Sequence, residues 1–340
     1  MKKIFATALL ISIFASGAFA QLTFSGSVYA GIQIEVNDGD DVIRPHHREE
    51  GVPKFEFTAT VLRDNFGARL DTTFTDTANP LTLNGIYGWV NFMDDSLRLT
   101  MGRMSSPKWA TNLHADLPTH RLDEITGFRI DYWTPIQGLS VGIAFETTGS
   151  EGDYDLETFS EQMIIGGTFI HPMFSAVFAY DFGSNGQTIF GFNFTGIPDL
   201  TAGIQLRANN LASWNNQSMF YGELVMHQLV GYRIARPLFV YLIYGQRITR
   251  RDTANNSSDM GFEWEITPGV EYRFLPDLTG IFTVTLDNFR QNPNNNLTIR
   301  TGIEYLLRGP AVFYAEYEVR LDNMETVRHT ISFGLTVRTF

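Results

Sequence analysis

Between Phe262 and Phe274 the chain alternates without a lapse. The even positions, Phe262, Trp264, Ile266, Pro268, Val270, Tyr272 and Phe274, are apolar; the odd ones, Glu263, Glu265, Thr267, Gly269, Glu271 and Arg273, are polar or glycine. An extended strand sends successive side chains to opposite faces, so this stretch has one apolar wall and one charged wall. The pattern recurs in about eighteen segments, separated by short turns and longer connections in alternation. A chain of this kind must bury or shield one whole face of every strand.

The first strand is expected from residue 22 onward, with Leu22, Phe24, Val28, Ile32 and Ile34 on one face and Thr23, Ser25, Tyr29, Gln33 and Glu35 on the other. Residues 1–20 read as an export signal: Lys2 and Lys3 are the charged start, residues 4–14 the apolar stretch, and Ala18-Phe19-Ala20 the small-x-small cleavage site. That stretch is too short to cross about 30 Å of hydrocarbon. The mature chain, residues 21–340, is expected to be a single domain. Its formal charge falls from −12 to −14 when Lys2 and Lys3 leave, which disfavours a nucleic-acid partner. With no cysteine, disulfides and thiolate metal sites are excluded.

Turns are predicted at Asp64-Asn65, Asp94-Asp95, residues 135–137, His171-Pro172, residues 197–199, 235–237, 275–277 and 308–310, all rich in the Pro, Gly and Asp that tight turns demand. The other connections are mostly longer: residues 37–52, 76–80, 105–127, 147–160, 209–217, 249–258 and 288–296, with short ones at 183–186 and 321–325. Short turns at one end and longer loops at the other require an even strand number; the count is 18, with 16 if one hairpin is merged.

Charge placement decides between a soluble sandwich and a membrane barrel. Arg or Lys on a lipid-facing position at mid-bilayer costs roughly 2–4 kcal/mol. In these strands Arg69, Asp71, Asp131, Glu223, Glu265, Glu271, Arg300, Glu304, Glu316 and Glu318 all fall on the polar face. The 28 Phe and 13 Tyr suit aromatic girdles at two membrane interfaces. The fold expected is all-β, a transmembrane antiparallel barrel apolar outside and polar within, large enough to hold water.

One region is also similar to a known family. Gly85-Ile86-Tyr87-Gly88-Trp89-Val90-Asn91-Phe92, followed by Leu97-Arg98-Leu99-Thr100-Met101-Gly102-Arg103, resembles the paired strands of general bacterial porins that end in Gly-Arg. Phe128-Arg129-Ile130-Asp131-Tyr132-Trp133-Thr134-Pro135 with Gly138-Leu139-Ser140-Val141 resembles the hairpin that follows. The terminal Phe340 is like the aromatic read by the barrel-insertion machinery, although Gly334 stands one step off the usual spacing, which implies a bulge. The resemblance implies a homotrimer in the outer membrane of a diderm bacterium. It also implies a loop after the fifth strand that folds inward and narrows the pore; by strand count residues 105–127 hold that place.

On that reading the constriction residues are Lys108, His114, Asp116, Arg121, Asp123 and Glu124 on the loop, facing Lys54, Arg69, Arg98, Arg103 and Arg129 on the wall. Opposed charges across a narrow gap create a transverse field that orders water and disfavours apolar solutes. Arg103 is the discordant member, since the alternation Leu97, Leu99, Met101, Arg103 gives it lipid-facing parity unless the strand bulges at Gly102. The acidic excess sits in the loops (Asp38, Asp40, Asp41, Glu49, Glu50; Glu151, Asp153, Asp155, Glu157), so a mild cation preference is expected. These clusters lack the spacing of a calcium loop and read as solvated charge, and His46-His47 as an incidental exposed pair. No metal, cofactor or catalytic set is expected: there is no G-x-S-x-G motif, and His114, Asp116 and His120 have no visible nucleophile.

The function expected is passive diffusion of ions and small hydrophilic solutes. Two alternatives stand beside it. One is a substrate-selective channel, for sugars for example, with Tyr29, Tyr87, Trp89, Trp133, Phe239, Tyr241 and Tyr314 as an inner aromatic track. The other is an adhesin or structural barrel with a closed lumen.

Overall fold

The computed structural model describes residues 21–36, 41–47, 51–75, 81–104, 125–146, 163–182, 186–209, 222–252, 258–288, 295–307, 310–323 and 326–339. Every regular element among them is a strand. In chain order these are β1 (Gln21–Val36), β2 (Val42–Pro45), β3 (Lys54–Arg63), β4 (Phe66–Thr75), β5 (Leu81–Phe92), β6 (Leu97–Met104) and β7 (Ile125–Trp133). There follow β8 (Leu139–Glu146), β9 (Met163–His171), β10 (Phe174–Asp181), β11 (Thr188–Phe194), β12 (Leu200–Asn209) and β13 (Gly222–Ala235). The last six are β14 (Leu238–Asp252), β15 (Ser258–Leu275), β16 (Leu278–Asp287), β17 (Asn296–Leu306), β18 (Ala311–Asp322) and β19 (Thr326–Thr339).

From β3 to β19 each strand pairs antiparallel with the next, and β1 closes the ring against β19, Gly26 opposite Thr339 through Val36 opposite His329. The half of β1 nearer the short turns pairs with β3, and the other half with the four-residue β2, Ile32 opposite Pro45. β2 and β3 thus share one place, and the barrel has 18 strands, as the turn phase required. Closure leaves no unpaired edge for lipid to meet. The tight turns carry left-handed residues of the type that tolerates them: Asp64, Asp94, Asp95 and Asp199 have φ of 43°, 52°, 66° and 63°.

The two walls separate cleanly. Phe24, Met101, Val230, Phe262 and Phe274 are each more than half exposed (58, 56, 55, 54 and 59%), as no water-facing surface could sustain so widely. A hydrocarbon environment is the one that satisfies this band. On β15 the alternation from Phe262 to Phe274 runs unbroken between β14 and β16. Pro268 has no N–H to donate, and the ladder to β16 lapses between Ile266 and Gly269; there Thr267 Oγ1 meets Thr285 Oγ1 at 2.9 Å across the lumen face.

Candidate functional site: the lumen wall

In a strand residues i and i+2 share a face, so a basic residue two places from an acidic one is set beside it. The wall uses this repeatedly. Arg69 Nε donates to both carboxylate oxygens of Asp71 (2.9 and 2.8 Å), and Thr58 Oγ1 donates to Asp71 Oδ1 at 2.6 Å. Arg129 Nε donates to Asp131 Oδ2 at 2.8 Å, and Lys54 Nζ lies 2.6 Å from Glu56 Oε1 and 5.1 Å from the Tyr29 ring centre. Across β12 to β15 the charges alternate instead between strands: Arg207–Glu223 at 3.1 Å, Glu223–Arg247 at 2.5 Å and Arg247–Glu263 at 3.4 Å. The inner wall is therefore charged but largely self-neutralised.

Arg98 departs from this rule. Its Nε donates to the side-chain oxygen of Asn91, directly opposite on β5, at 2.8 Å, and no carboxylate of the described residues lies within ion-pair distance. The guanidinium instead stands over two indoles, 5.5 Å from the Trp89 ring centre and 5.3 Å from that of Trp133. Trp89 can lie flat because Gly67 is its cross-strand neighbour: a Cβ there would come within 2.3 Å of Trp89 Cζ2.

Arg103 sits outside this group. The β5–β6 register is continuous, with Arg103 opposite Ile86, so it keeps the outward parity of Leu99 and Met101, near the loop end of β6. Gly102, with φ 125°, closes tightly on the backbone of Ile86 and Tyr87 without inserting a residue. The other predicted site residues, Lys108, His114, Asp116, Arg121, Asp123 and Glu124, lie outside the described residues.

His47 is not an exposed loop residue; it is fully buried. Pro45 is opposite Ile32 and Lys54 opposite Tyr29, so only Ala30 and Gly31 of β1 lie between the two pairings. The His46 amide donates to Gly31 O at 3.0 Å. His47 then reaches into the lumen: its ring stands edge-on to Tyr29 (5.1 Å) and Tyr314 (5.3 Å), and Nε2 meets Thr336 Oγ1 at 2.9 Å. Two glycines facing each other across the closing seam make the room. A Cβ on Gly31 would meet His46 O at 2.3 Å, and one on Gly334 would run into the Tyr314 ring at 2.4 Å. The offset of Gly334 from the usual terminal spacing therefore has a packing cause, and β19 shows no bulge there.

This rearranges the aromatic track. Tyr29 and Tyr314 are 7% and 1% exposed and engaged with His47, and Trp89 and Trp133 clasp Arg98. Phe239 and Tyr241 remain as a stacked pair, 5.7 Å between ring centres. Among the described residues no continuous run of open rings lines the wall.

From β6 to β13 the lumen face carries Met104, Ile125, Ala144, Ile164, Val177, Ile189 and Leu229, each at most 3% exposed. Met104 and Ile125, which face each other across β6 and β7, flank residues 105–124 in sequence, directly after the fifth spanning strand. His47 marks the opposite side of the ring, at β1, β18 and β19. Among the described residues no cluster of His, Asp and Glu is arranged to hold a metal ion.

No protein-family model matches the sequence, and no curated protein matches it. Solved structures do match. The chain is similar to the anion-selective porin from Comamonas acidovorans (TM-score 0.52, 11% identity, 94% of this chain and all of that one). It is also similar to the outer membrane channel DcaP of Acinetobacter baumannii (TM-score 0.54, 11% identity, 95% and 98% of the two chains) and to OccK11 (OpdR) of Pseudomonas aeruginosa (TM-score 0.60, 11% identity, 94% and 96%). The fold is that of outer-membrane channels. At these identities the likeness speaks for the barrel alone; the site must be argued from its own residues.

Proposed function

We propose that the protein is an outer-membrane porin of a diderm bacterium, a water-filled channel for passive diffusion of ions and small hydrophilic solutes. The observation that carries this is the inversion of the two walls: apolar side chains exposed on the outside of a closed ring, ion pairs such as Arg69–Asp71 and Arg207–Glu223–Arg247 on the inside. Charged residues two by two on an inner wall need water to solvate their open sides, and an 18-strand ring is wide enough to admit it.

The loop expected at residues 105–127, whose last three residues belong to β7, is the segment proposed to fold inward and constrict the pore, with Lys108, His114, Asp116, Arg121, Asp123 and Glu124 facing Lys54, Arg69, Arg98 and Arg129. Support comes from the burial of Met104 and Ile125 at the two ends of the segment, and of Ala144 and Ile164 beside them on the lumen face. Trimer formation and the cleavage of residues 1–20 belong to the same reading, as does the absence of enzymatic activity. The assay is conductance of the purified protein in a planar bilayer, with graded neutral solutes to size the pore and a salt gradient to read selectivity. A barrel that inserts but passes no current in any salt favours the closed, structural alternative.

A further inference from the structure

The outer wall is apolar almost throughout, and two of its exceptions are neighbours. Gln228 on β13 is two residues from Val230, which is 55% exposed on the outside, and so shares its face. Opposite Gln228 on β14 stands Tyr244, and two residues along lies Gln246, opposite Trp264 of β15. Among the described strands these are the only side-chain amides on the outside; the others, Asn91 and Gln205 for example, have lumen parity. A primary amide has two N–H donors and an oxygen that accepts twice. Tyr244 OH donates to Gln246 Oε1 at 3.2 Å, while Gln228 Nε2 reaches only a thioether, Met226 Sδ, at 3.5 Å. Among the described residues the Gln228 oxygen and the Gln246 amino group have no partner.

Depth decides what can answer them. At about 3.3 Å per residue and a tilt near 40°, the chain climbs about 10 Å from Tyr232 to Gln228 and about 20 Å from Leu238 to Gln246. Both amides therefore fall within an apolar band about 25 Å tall, Gln246 nearer its loop-side margin. Headgroups and water belong to the margins, and lipid tails offer neither donor nor acceptor, so at the level of Gln228 only protein supplies the missing partners. The patch is its own complement, because the oxygen open on Gln228 matches the amino group open on Gln246. Leu206, Leu242 and Ile266, on the same face of β12, β14 and β15, surround it with apolar surface that keeps water out of a contact. We propose that the outer face of β13 and β14 is where this chain docks against a second copy of itself, Gln228 of one copy pairing with Gln246 of the next. Such a head-to-tail contact closes into a ring, so each copy in a trimer is satisfied once on either side. The assignment rests on the membrane-barrel reading for the hydrocarbon around the patch, and goes beyond it by naming the face that meets a partner.

The test takes the full-length protein in mild detergent and in lipid nanodiscs, with oligomeric state as the readout, so it does not depend on conductance. Analytical ultracentrifugation should show the wild type as an oligomer and Gln228→Leu/Gln246→Leu as a single barrel at the same concentration, with unchanged β-sheet circular dichroism. Thr72→Leu, which removes a hydroxyl from the outer face of β4, should leave the oligomer intact. The chain has no cysteine, so single-cysteine variants locate the contact should the double variant fail to fold. A bis-maleimide should join copies of Leu242→Cys in the membrane and give no product with Met101→Cys, on the outer face of β6 across the ring. A wild type that is a single barrel in both detergent and membrane overturns the assignment. An oligomer that survives Gln228→Leu/Gln246→Leu, or one that cross-links at Met101→Cys and not at Leu242→Cys, overturns it as well. Oligomers that dissociate as expected but pass no current in a bilayer would refute the channel while leaving the contact in place.

Discussion

His47 offers the sharpest perturbation, because its ring makes geometrically defined contacts with Tyr29, Tyr314 and Thr336. Replacing it with alanine removes the hydrogen bond to Thr336 Oγ1 and two edge contacts, to Tyr29 and Tyr314. A neutral hydrogen bond contributes about 1 kcal/mol and an aromatic edge contact about 0.5–1.5 kcal/mol, so the seating of the segment should weaken by about 2–4 kcal/mol. The barrel does not depend on this seat, since the β1–β3 and β1–β19 ladders hold the strands on both sides. The loss should therefore be local. The His46 amide, bonded to Gly31 O at 3.0 Å, reports it directly. At 1.4 kcal/mol per factor of ten, its hydrogen exchange should accelerate by about 30- to 700-fold, with the amides of β15 unchanged. Peptide-level exchange on protein in detergent or nanodiscs reads both. Exchange at His46 within about threefold of wild type would refute the claim that His47 anchors the segment. Uniform acceleration across all strands would refute the claim that the anchor is separable from the barrel.

Gly31→Ala should release the same segment by a different route, because its Cβ would meet His46 O at 2.3 Å and Phe333 O at 2.6 Å, neither of which belongs to a flexible side chain; exchange at His46 should rise at least as much as in His47→Ala. Val230→Arg, on a residue 55% exposed on the outer wall, should cost roughly 2–4 kcal/mol in urea-dependent folding into lipid vesicles. Thr330→Arg, on the lumen face opposite Glu318, should be nearly neutral in the same assay, which makes the pair a test of inside against outside. Glu223→Gln leaves Arg207 and Arg247 without the carboxylate they share, so the reversal potential in a salt gradient should move toward anion preference; no movement would mean that the pore's field is set elsewhere.

Much of this protein is written locally in its chain. The alternation from Phe262 to Phe274, the Asp-rich and Pro-rich turns, and the even strand number follow from two-residue periodicity and turn chemistry, which act over a few residues and need no knowledge of the fold. The ion pairs Arg69–Asp71 and Arg129–Asp131 are equally local, since i and i+2 share a face in any strand. Other features were decided by the register between strands. Arg98, Trp89 and Trp133 stand on β6, β5 and β7, and only the pairings Asn91–Arg98 and Arg98–Asp131 bring them into one clasp. The aromatic residues read as an open track became partners of Arg98 and His47 for the same reason. His47 is the clearest case. Its neighbours Tyr29, Tyr314 and Thr336 are separated from it by as many as 289 positions and meet it only where the first strand closes on the last. Gly31, unremarkable in the sequence, and Gly334, singled out there only for its spacing from Phe340, face each other across the seam and leave the space for His46 and Tyr314. Periodicity settles which side of a strand faces water; ring closure settles which distant side chains that water must share.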